Sequence, residues 1–552
     1  MSPRRDLAVD GLIAAALFVL AVVVRQGVLT VAQVTPDCVG PYLGAWEMLT
    51  TGDFVGPSHF PESGPGLYWM YIPFLLGADG LESALWRRFL LQALWAPALY
   101  LGLRVAFAAM EQDRRVGTAR LGAAVAASAL VFSEGPLSSL LSGAETFVAP
   151  DLGLLMTLSG AMVLLAGRAR WLLVGWAALP VAMMVHGMAA AYGPVLLWLA
   201  VRTFREGQRG LAVGAVSLGA VGFLPRALQL LQRVRDDGFA SASELGTYNS
   251  EGDAFLAVLL ERTADHLFGR DLPWGPLLAL SPLFLAAAIL LVPRWRPVPG
   301  AVLRRAWWML LWLLGTVAGI LAVATAIRYM QGYHWRVVFP AAATCLGLAV
   351  HLAAPRRPLL LAALGAAVAL GSFGLARGRW PMTPWPDSDV RITARFAALS
   401  ADATPRWHER GGLGWDPWGY APAIYLEERL AGAAAGDYRL DGAMTLLFSA
   451  DHDIAEAIEE ATGWAGRPPP LETLPGATLL ARATPTGGPR VYLLRFATPS
   501  ASVAFHERFA LPHRSDEQPV RMKAESGEYL PAVPTPFDYA DADAWFPPGL
   551  ER

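Results

Sequence analysis

The sequence opens with "MSPRRDLAVDGLIAAALFVLAVVV" (Met1–Val24), in which two arginines precede a long apolar run. An apolar segment of about 20 residues is long enough to cross the hydrocarbon core of a bilayer as a helix. A secretory signal peptide is shorter and ends at an A-x-A-like cleavage site, and no such site follows this run. The stretch therefore predicts a retained first membrane span with its N-terminus in the cytoplasm.

The composition of the whole chain agrees with a membrane protein. Of its 552 residues, 54% are hydrophobic and only 16% are charged, and the mean hydropathy is +0.38. A net charge of -2 provides no basic field for a nucleic acid, so we do not expect that class of partner. The two cysteines, Cys38 and Cys345, are not spaced as metal ligands, and we interpret them as packing residues.

Further apolar runs bring the predicted number of spans to about eleven. Arginines occur in alternate connections, which marks those connections as cytoplasmic. These arginines are Arg4, Arg5, Arg114, Arg115, Arg120, Arg168, Arg170, Arg202, Arg205, Arg209, Arg294, Arg296, Arg304, Arg305, Arg356 and Arg357. The predicted spans begin near Leu7, Ala84, Ala119, Pro150, Trp171, Tyr192, Leu211, Pro276, Ala306, Val337 and Pro358.

An odd number of spans places the C-terminal region outside the cytoplasm. That region begins with a linker, "RWPMTPWPDSD", and alternates strand-like runs such as "RVYLLRFA" with helix-like segments such as "HDIAEAIEEATGW". The predicted fold is an all-α polytopic bundle over residues 1–378, with a first external loop at 34–83, followed by a periplasmic α+β domain over 379–552. The predicted location is the inner (cell) membrane.

The first external loop contains three carboxylates within "VTPDCVGPYLGAWEMLTTGDFVGP" (Val34–Pro57). A single acid at a membrane surface is ordinarily a solvated loop residue. Here, however, Asp37 is followed by aromatic residues and a second apolar stretch, which indicate short amphipathic helices packed over the bundle.

An ordered set of motifs in residues 1–375 resembles the GT-C membrane glycosyltransferases, in particular the branch of protein O-mannosyltransferases and aminoarabinose transferases. The motifs are "GAWEMLTTGDF", "HFPESGPGLYW", "FVAPDLGLLMTLSGAMVLL", "MMVHGMAAAYGPVLLW", "RTADHLFGRDLPWGPLLALSPL" and "YHWRVVFPAAATCLGLAV". The resemblance implies transfer of a sugar from a polyprenyl-phosphate donor to a lipid, glycan or protein acceptor outside the cytoplasm. It also implies a divalent metal (Mg, Mn or Zn), with Glu62 and His266 as its ligands.

The chemistry of such a transfer suggests roles for two acids. An acceptor hydroxyl is a poor nucleophile, and a carboxylate within hydrogen-bond reach can take its proton. We predict Asp37 as this base. Asp151, beside Pro150 at the outer end of a span, is either a helix-start acid favoured by the macrodipole or a second functional acid that orients the acceptor.

The leaving phosphate needs positive charge placed in advance. We predict a phosphate-binding group on the outer side, since guanidinium groups bind phosphate with two nitrogens. An alternative is that these arginines extend from apolar surroundings to the interface. The predicted phosphate-binding residues are Arg87, Arg88, Arg328, Arg336 and Tyr333.

Alternative interpretations remain for the metal ligands and for the function. Glu62 is alternatively a helix cap or a solvent-facing acid, and His266 a structural histidine. A transporter or flippase of lipid-linked sugars would place ionisable residues mid-span in two related halves, and the sequence has no such halves. A non-catalytic membrane scaffold that presents the C-terminal domain is the third interpretation.

Overall fold

The computed structural model describes the chain in segments. They are residues 3–29, 36–52, 54, 65–110, 116–132, 145–185, 187–228, 231, 274–295, 297–327, 335, 337–354, 406–410, 426–427, 430, 445–450, 477–483 and 490–496. For Asp37 and Asp151 the backbone alone is described.

The described part of the chain is mostly helical. Its first seven helices are α1 (Pro3–Leu29), α2 (Pro36–Thr51), α3 (Gly66–Trp69), α4 (Ile72–Leu75), α5 (Leu81–Ala93), α6 (Trp95–Met110) and α7 (Val116–Phe132). The next four are α8 (Glu145–Leu164), α9 (Leu172–Val185), α10 (Gly193–Arg205) and α11 (Arg209–Gly222). The last four are α12 (Trp274–Ala279), α13 (Ser281–Trp295), α14 (Gly300–Ile327) and α15 (Phe339–Ala353). Short 3-10 helices span Ala169–Trp171 and Gly187–Tyr192.

A helix lies at each of the first ten predicted spans, and the span predicted near Pro358 falls outside the described residues. By length and composition, five helical segments of the described chain can cross a membrane. They are Asp6–Val23, Leu81–Met110, Gly187–Arg205, Arg209–Leu228 and Gly300–Thr325. The prediction of a helical protein with several apolar helices is confirmed, whereas the count of eleven spans stays a prediction.

The outer surfaces of these helices are apolar. Only 17% of the residues in the apolar stretch of α1 are buried, and the same share is buried in the segment Arg209–Leu228. The side chains of Leu7 and Leu12 in α1 are each 72% exposed. Large apolar side chains exposed along whole helices are expected where the surrounding solvent is lipid. This surface therefore supports the membrane assignment.

Buried ion pairs join α1, α6 and α7 at one end of the bundle. The Asp10 carboxylate accepts hydrogen bonds from the Tyr100 hydroxyl (3.0 Å) and from Arg120 Nε (2.7 Å). Arg104 Nε lies 2.8 Å from the second oxygen of Asp10 without hydrogen-bond alignment, so this contact is an ion pair only. Arg120 also pairs with Asp6 at 3.0 Å. These contacts hold the N-terminal parts of α1 and α7 against the middle of α6.

A further arginine binds helix ends at the same end of the bundle. Arg305, near the start of α14, donates to the carbonyl of Leu165 just after α8 (2.9 Å) and to that of Ala109 in the last turn of α6 (3.5 Å). A cation at helix C-termini is favoured by the macrodipole. Ends of α1, α6, α7, α8 and α14 that the arginine pattern assigns to one side thus lie together.

Helices α7 and α15 cross at two glycines. A Cβ on Gly122 would lie 2.5 Å from the Gly347 carbonyl oxygen, and one on Gly347 would lie 2.4 Å from the Gly122 carbonyl oxygen. Small residues permit such close backbone contact, which is a common way for membrane helices to pack.

Four strands of the C-terminal region form one sheet. They are β1 (Arg406–Arg410), β2 (Thr445–Ala450), β3 (Ala477–Ala483) and β4 (Arg490–Phe496), in the order β1-β2-β4-β3. Strands β1 and β2 are parallel, and the other two pairs are antiparallel. The limits of the predicted C-terminal domain stay a prediction.

Candidate functional site

Helix α2 carries Asp37 in its first turn. Pro36 begins the helix, where its missing N–H costs no hydrogen bond, and an acid in the first turn is favoured by the macrodipole. Pro41 has no N–H to donate to the Asp37 carbonyl, so the normal i to i−4 bond is absent at this position. The predicted base therefore lies at the start of a short helix.

Helix α2 packs on α3 and α4 through aromatic rings. A Cβ on Gly44 would lie 2.4 Å from the Tyr68 ring, so glycine is needed for this approach. Tyr42 and Tyr71 pack edge to face with ring centroids 4.7 Å apart, and both are fully buried. Gly44 follows Asp37 by seven residues, about two helical turns, which places the two positions on the same side of α2.

Helix α3 in turn packs on the end of α9. A Cβ on Gly66 would lie 3.0 Å from Met184 Cβ and 3.4 Å from the Val181 carbonyl oxygen. Helix α9 ends at Val185, and the 3-10 helix Gly187–Tyr192 follows after one residue. Helices α2 and α3, from the predicted external loop, thus connect to the end of a predicted span.

Tyr192 joins the 3-10 helix to α8 and to the start of α15. Its hydroxyl donates to the Val337 carbonyl (2.8 Å) and lies 3.1 Å from Thr157 Oγ1, whose hydroxyl must then be the donor. A Cβ on Gly153 would lie 3.0 Å from the same Val337 oxygen.

These contacts bring two predicted site segments together. Gly153 follows Asp151 by two residues, and Val337 follows Arg336 by one. The backbones beside Asp151 and Arg336 therefore approach closely, although the two residues are separated by much of the chain.

The two arginines of α5 have different surroundings. Arg88 is 3% exposed, and its guanidinium carbon lies 4.8 Å from the centroid of the Tyr71 ring. Arg87 donates from both terminal nitrogens to the carbonyls of Leu76 and Gly77, in the turn between α4 and α5. Arg88 thus belongs to the aromatic cluster beside α2, while Arg87 organises the adjacent turn.

Several predicted site residues lie outside the described residues, namely Glu62, His266, Arg328, Tyr333 and Arg336. Within the described segments, no group of three or more His, Cys, Asp or Glu side chains could hold a metal ion.

Sequence reasoning missed the tyrosines that join these elements. Tyr42, Tyr71 and Tyr192 are fully buried and connect helices that are distant in sequence. Their positions in apolar segments do not distinguish them from ordinary core residues, because a sequence pattern does not show which ring meets which backbone.

The chain is similar in fold to ArnT. The ArnT structure, from Cupriavidus metallidurans and bound to undecaprenyl phosphate, has 17% sequence identity and a TM-score of 0.50, and the match covers 90% of this chain and 99% of ArnT. The predicted resemblance to GT-C enzymes is confirmed at the level of the fold.

Two more distant structures from Archaeoglobus fulgidus also match. The oligosaccharyltransferase AglB, in complex with an inhibitory peptide and a dolichol-phosphate, has 12% identity, a TM-score of 0.42 and coverage of 88% of this chain and 74% of AglB. An oligosaccharyltransferase complex with Zn and sulfate has 12% identity, a TM-score of 0.41 and coverage of 87% and 72%. No protein-family model and no curated protein matches the chain.

Proposed function

We propose that this protein is an integral membrane glycosyltransferase that uses a polyprenyl-phosphate sugar donor. The observation that carries the proposal is the likeness in fold to ArnT bound to undecaprenyl phosphate, which extends over nearly the whole of both chains. The acceptor is a lipid, a glycan or a protein outside the cytoplasm.

The contacts between the external helices and the bundle support one common site. Helix α2 packs on α3, α3 on the end of α9, and the 3-10 helix after α9 joins α8 to the start of α15. The predicted base Asp37 belongs to α2 and the second acid Asp151 to α8, and Val337, which contacts Tyr192, is next in sequence to the predicted phosphate ligand Arg336.

The proposed reaction is a single inverting displacement. The acceptor oxygen attacks the anomeric carbon of the donor sugar, and the bond from that carbon to the phosphate oxygen breaks. Asp37 accepts the proton of the acceptor hydroxyl, and the polyprenyl phosphate leaves with the bonding electrons. Asp151 orients the acceptor.

Positive charge stabilises the leaving phosphate in this proposal. Among the predicted phosphate ligands, Arg88 lies beside the Tyr71 ring that packs on α2. Arg328, Tyr333 and Arg336 are proposed to complete the phosphate site, and Arg87 to hold the turn that precedes Arg88.

A divalent metal remains part of the proposal. The resemblance assigns Glu62 and His266 as its ligands, and oxygen and imidazole suit such an ion. A bound metal would supply further charge beside the phosphate.

The proposed topology follows the arginine pattern. Eleven spans place the N-terminus in the cytoplasm and the domain 379–552 outside it. The helix ends joined by Asp10 and Arg305 are then cytoplasmic, and those near Tyr192 are external. The inner membrane is the proposed location.

The proposal is tested with purified protein in lipid, a panel of polyprenyl-phosphate sugars, and release of polyprenyl phosphate as the measured product. Wild-type protein is expected to release it, and Asp37→Asn to lose at least about a hundredfold in turnover, the range typical of a missing general base. Asp53→Asn, a second aspartate of the same loop, is the matched control and should keep its activity. A transporter would move the donor across the bilayer without consuming it, which would contradict the proposal.

A further inference from the structure

The C-terminal region contacts the membrane bundle at the start of α5. Leu426, Glu427 and Leu430 have helical backbone, and Leu426 and Leu430 are 0% and 8% exposed within the core cluster of the bundle. The two leucines are therefore buried together with side chains of the bundle. We call Leu426, Glu427 and Leu430 the docking segment.

Glu427 caps the first turn of α5. The backbone N–H of Leu81 donates to Glu427 Oε2 at 2.5 Å. The first N–H groups of a helix have no partner inside the helix, and a side-chain oxygen there satisfies one of them. The residue before α5 is Gly80, which has no side chain with which to cap the helix. The cap therefore comes from a residue far away in the sequence.

Gly80 provides a second, independent sign of a close fit. A Cβ at this position would lie 2.7 Å from Glu427 Oε1 and 3.2 Å from Oε2. The backbone of Gly80 is extended, which any residue can adopt, so the reason for glycine is the space that the carboxylate occupies. Both oxygens of Glu427 are thus fitted against the start of α5.

Helix α5 leads from this cap to the candidate site. Arg88, two turns after Leu81, lies over the Tyr71 ring, and that ring packs against Tyr42 of α2. A displacement of the start of α5 would therefore be transmitted to the aromatic cluster beside the helix that carries Asp37. Packed side chains transmit strain because interiors are dense.

We propose that the docking segment holds α5 in place for donor binding and that Glu427 is a positioning residue of the transfer site. This proposal rests on the proposed glycosyltransferase function for its second half. Its first half, that Glu427 holds the start of α5, concerns the fold alone and is tested without any activity.

The first test measures hydrogen exchange of the amides over residues 80–83 in the full-length protein in lipid. Glu427→Ala removes the acceptor, and exchange is expected to become about tenfold faster, because the Leu81 N–H loses its hydrogen-bond partner. Glu427→Gln keeps an oxygen that accepts from Leu81, so its exchange should stay within about twofold of the wild type. Gly80→Ala should resemble Glu427→Ala, and combining both changes should add little. The control is Glu206→Ala, which removes a 52% exposed acid from another helix and should change nothing over 80–83.

The second test measures transfer kinetics in the same variants. Because Arg88 is a proposed phosphate ligand, Glu427→Ala should raise the donor KM about tenfold, and the acceptor KM should stay within twofold. Glu427→Gln should restore the donor KM.

The outcomes separate the two parts of the proposal. Unchanged exchange in Glu427→Ala overturns the role of Glu427 in holding α5. Faster exchange with an unchanged donor KM overturns its role in positioning the site. If the wild type transfers no sugar, the proposed function fails, while the exchange result still decides whether Glu427 holds α5.

Discussion

Replacing Asp10 by asparagine should destabilise the end of the bundle where α1, α6 and α7 meet. Asp10 is 4% exposed, and its carboxylate contacts three partners, Tyr100, Arg104 and Arg120. The amide of asparagine retains one acceptor oxygen but places an N–H group toward a cation. Two charge pairs are lost, and two arginines keep their positive charge.

The structure sets the size of this effect. Removing one member of a buried ion pair costs about 3–5 kcal/mol because the other charge stays buried. The side chains of Arg104 and Arg120 keep 22% and 13% exposure, and Arg120 still has Asp6 as a partner. We therefore expect a loss at or just below the lower end of that range, about 2–3 kcal/mol.

The assay is thermal unfolding in one detergent, with Glu206→Gln as the matched control. The pair Arg202–Glu206 has the same 2.8 Å separation as Arg104–Asp10, but its side chains are 30% and 52% exposed. An exposed i,i+4 pair contributes about 0.3–0.5 kcal/mol, so the control should hardly move the midpoint. Equal shifts for Asp10→Asn and Glu206→Gln would refute the reasoning that burial makes the Asp10 cluster stabilising.

Three other predictions concern packing, pH and metal. Gly122→Ala should lower the free energy of unfolding by about 1–3 kcal/mol, and with it the unfolding midpoint, because the added Cβ would meet the backbone of α15. Gly117→Ala on the same helix has open space around its Cβ and should leave the midpoint unchanged. Equal midpoints for the two variants would contradict the close crossing of α7 and α15. The pKa of Glu427 is raised, chiefly by burial and further by the acids Glu82 and Asp79, while the Leu81 N–H opposes the rise. The ionised form of Glu427 is therefore disfavoured in the docked state, and docking of Leu426, Glu427 and Leu430 should weaken as the pH rises through that raised pKa. The weakening should appear as faster exchange over residues 80–83 after correction for the intrinsic rate, and Glu427→Gln should remove this pH dependence. A chelator should abolish sugar transfer, and added Mg, Mn or Zn should restore it; turnover that persists without metal would contradict the assignment of Glu62 and His266.

The helices were predictable from sequence because their signal is local. A run of apolar residues long enough to span a bilayer identifies a helix without knowledge of its neighbours. The grouping of helix ends was also predictable, because arginines such as Arg120 and Arg305 mark one side. Their actual partners, Asp10 and the carbonyl of Leu165, depend on packing between distant segments.

The candidate site was predictable only as a set of positions. The sequence led to the prediction that Asp37 and Asp151 belong to external segments, which stays a prediction, but it did not show which backbones approach each other. The close approach of Gly153 to Val337 depends on the absence of a side chain and on the Tyr192 hydrogen bond, and neither produces a periodic pattern. The cap of α5 by Glu427 joins positions 346 residues apart, beyond the reach of any local rule.

The most direct test of a polyprenyl-phosphate-dependent transferase is the release of polyprenyl phosphate by purified wild-type protein and by Asp37→Asn at equal folded concentration. We predict rapid release that depends on an acceptor in the wild type, and a loss of at least about a hundredfold in the variant. Release at the same rate from both proteins would contradict the role of Asp37 as the base. No release from any donor by the folded wild type would contradict the proposed function itself.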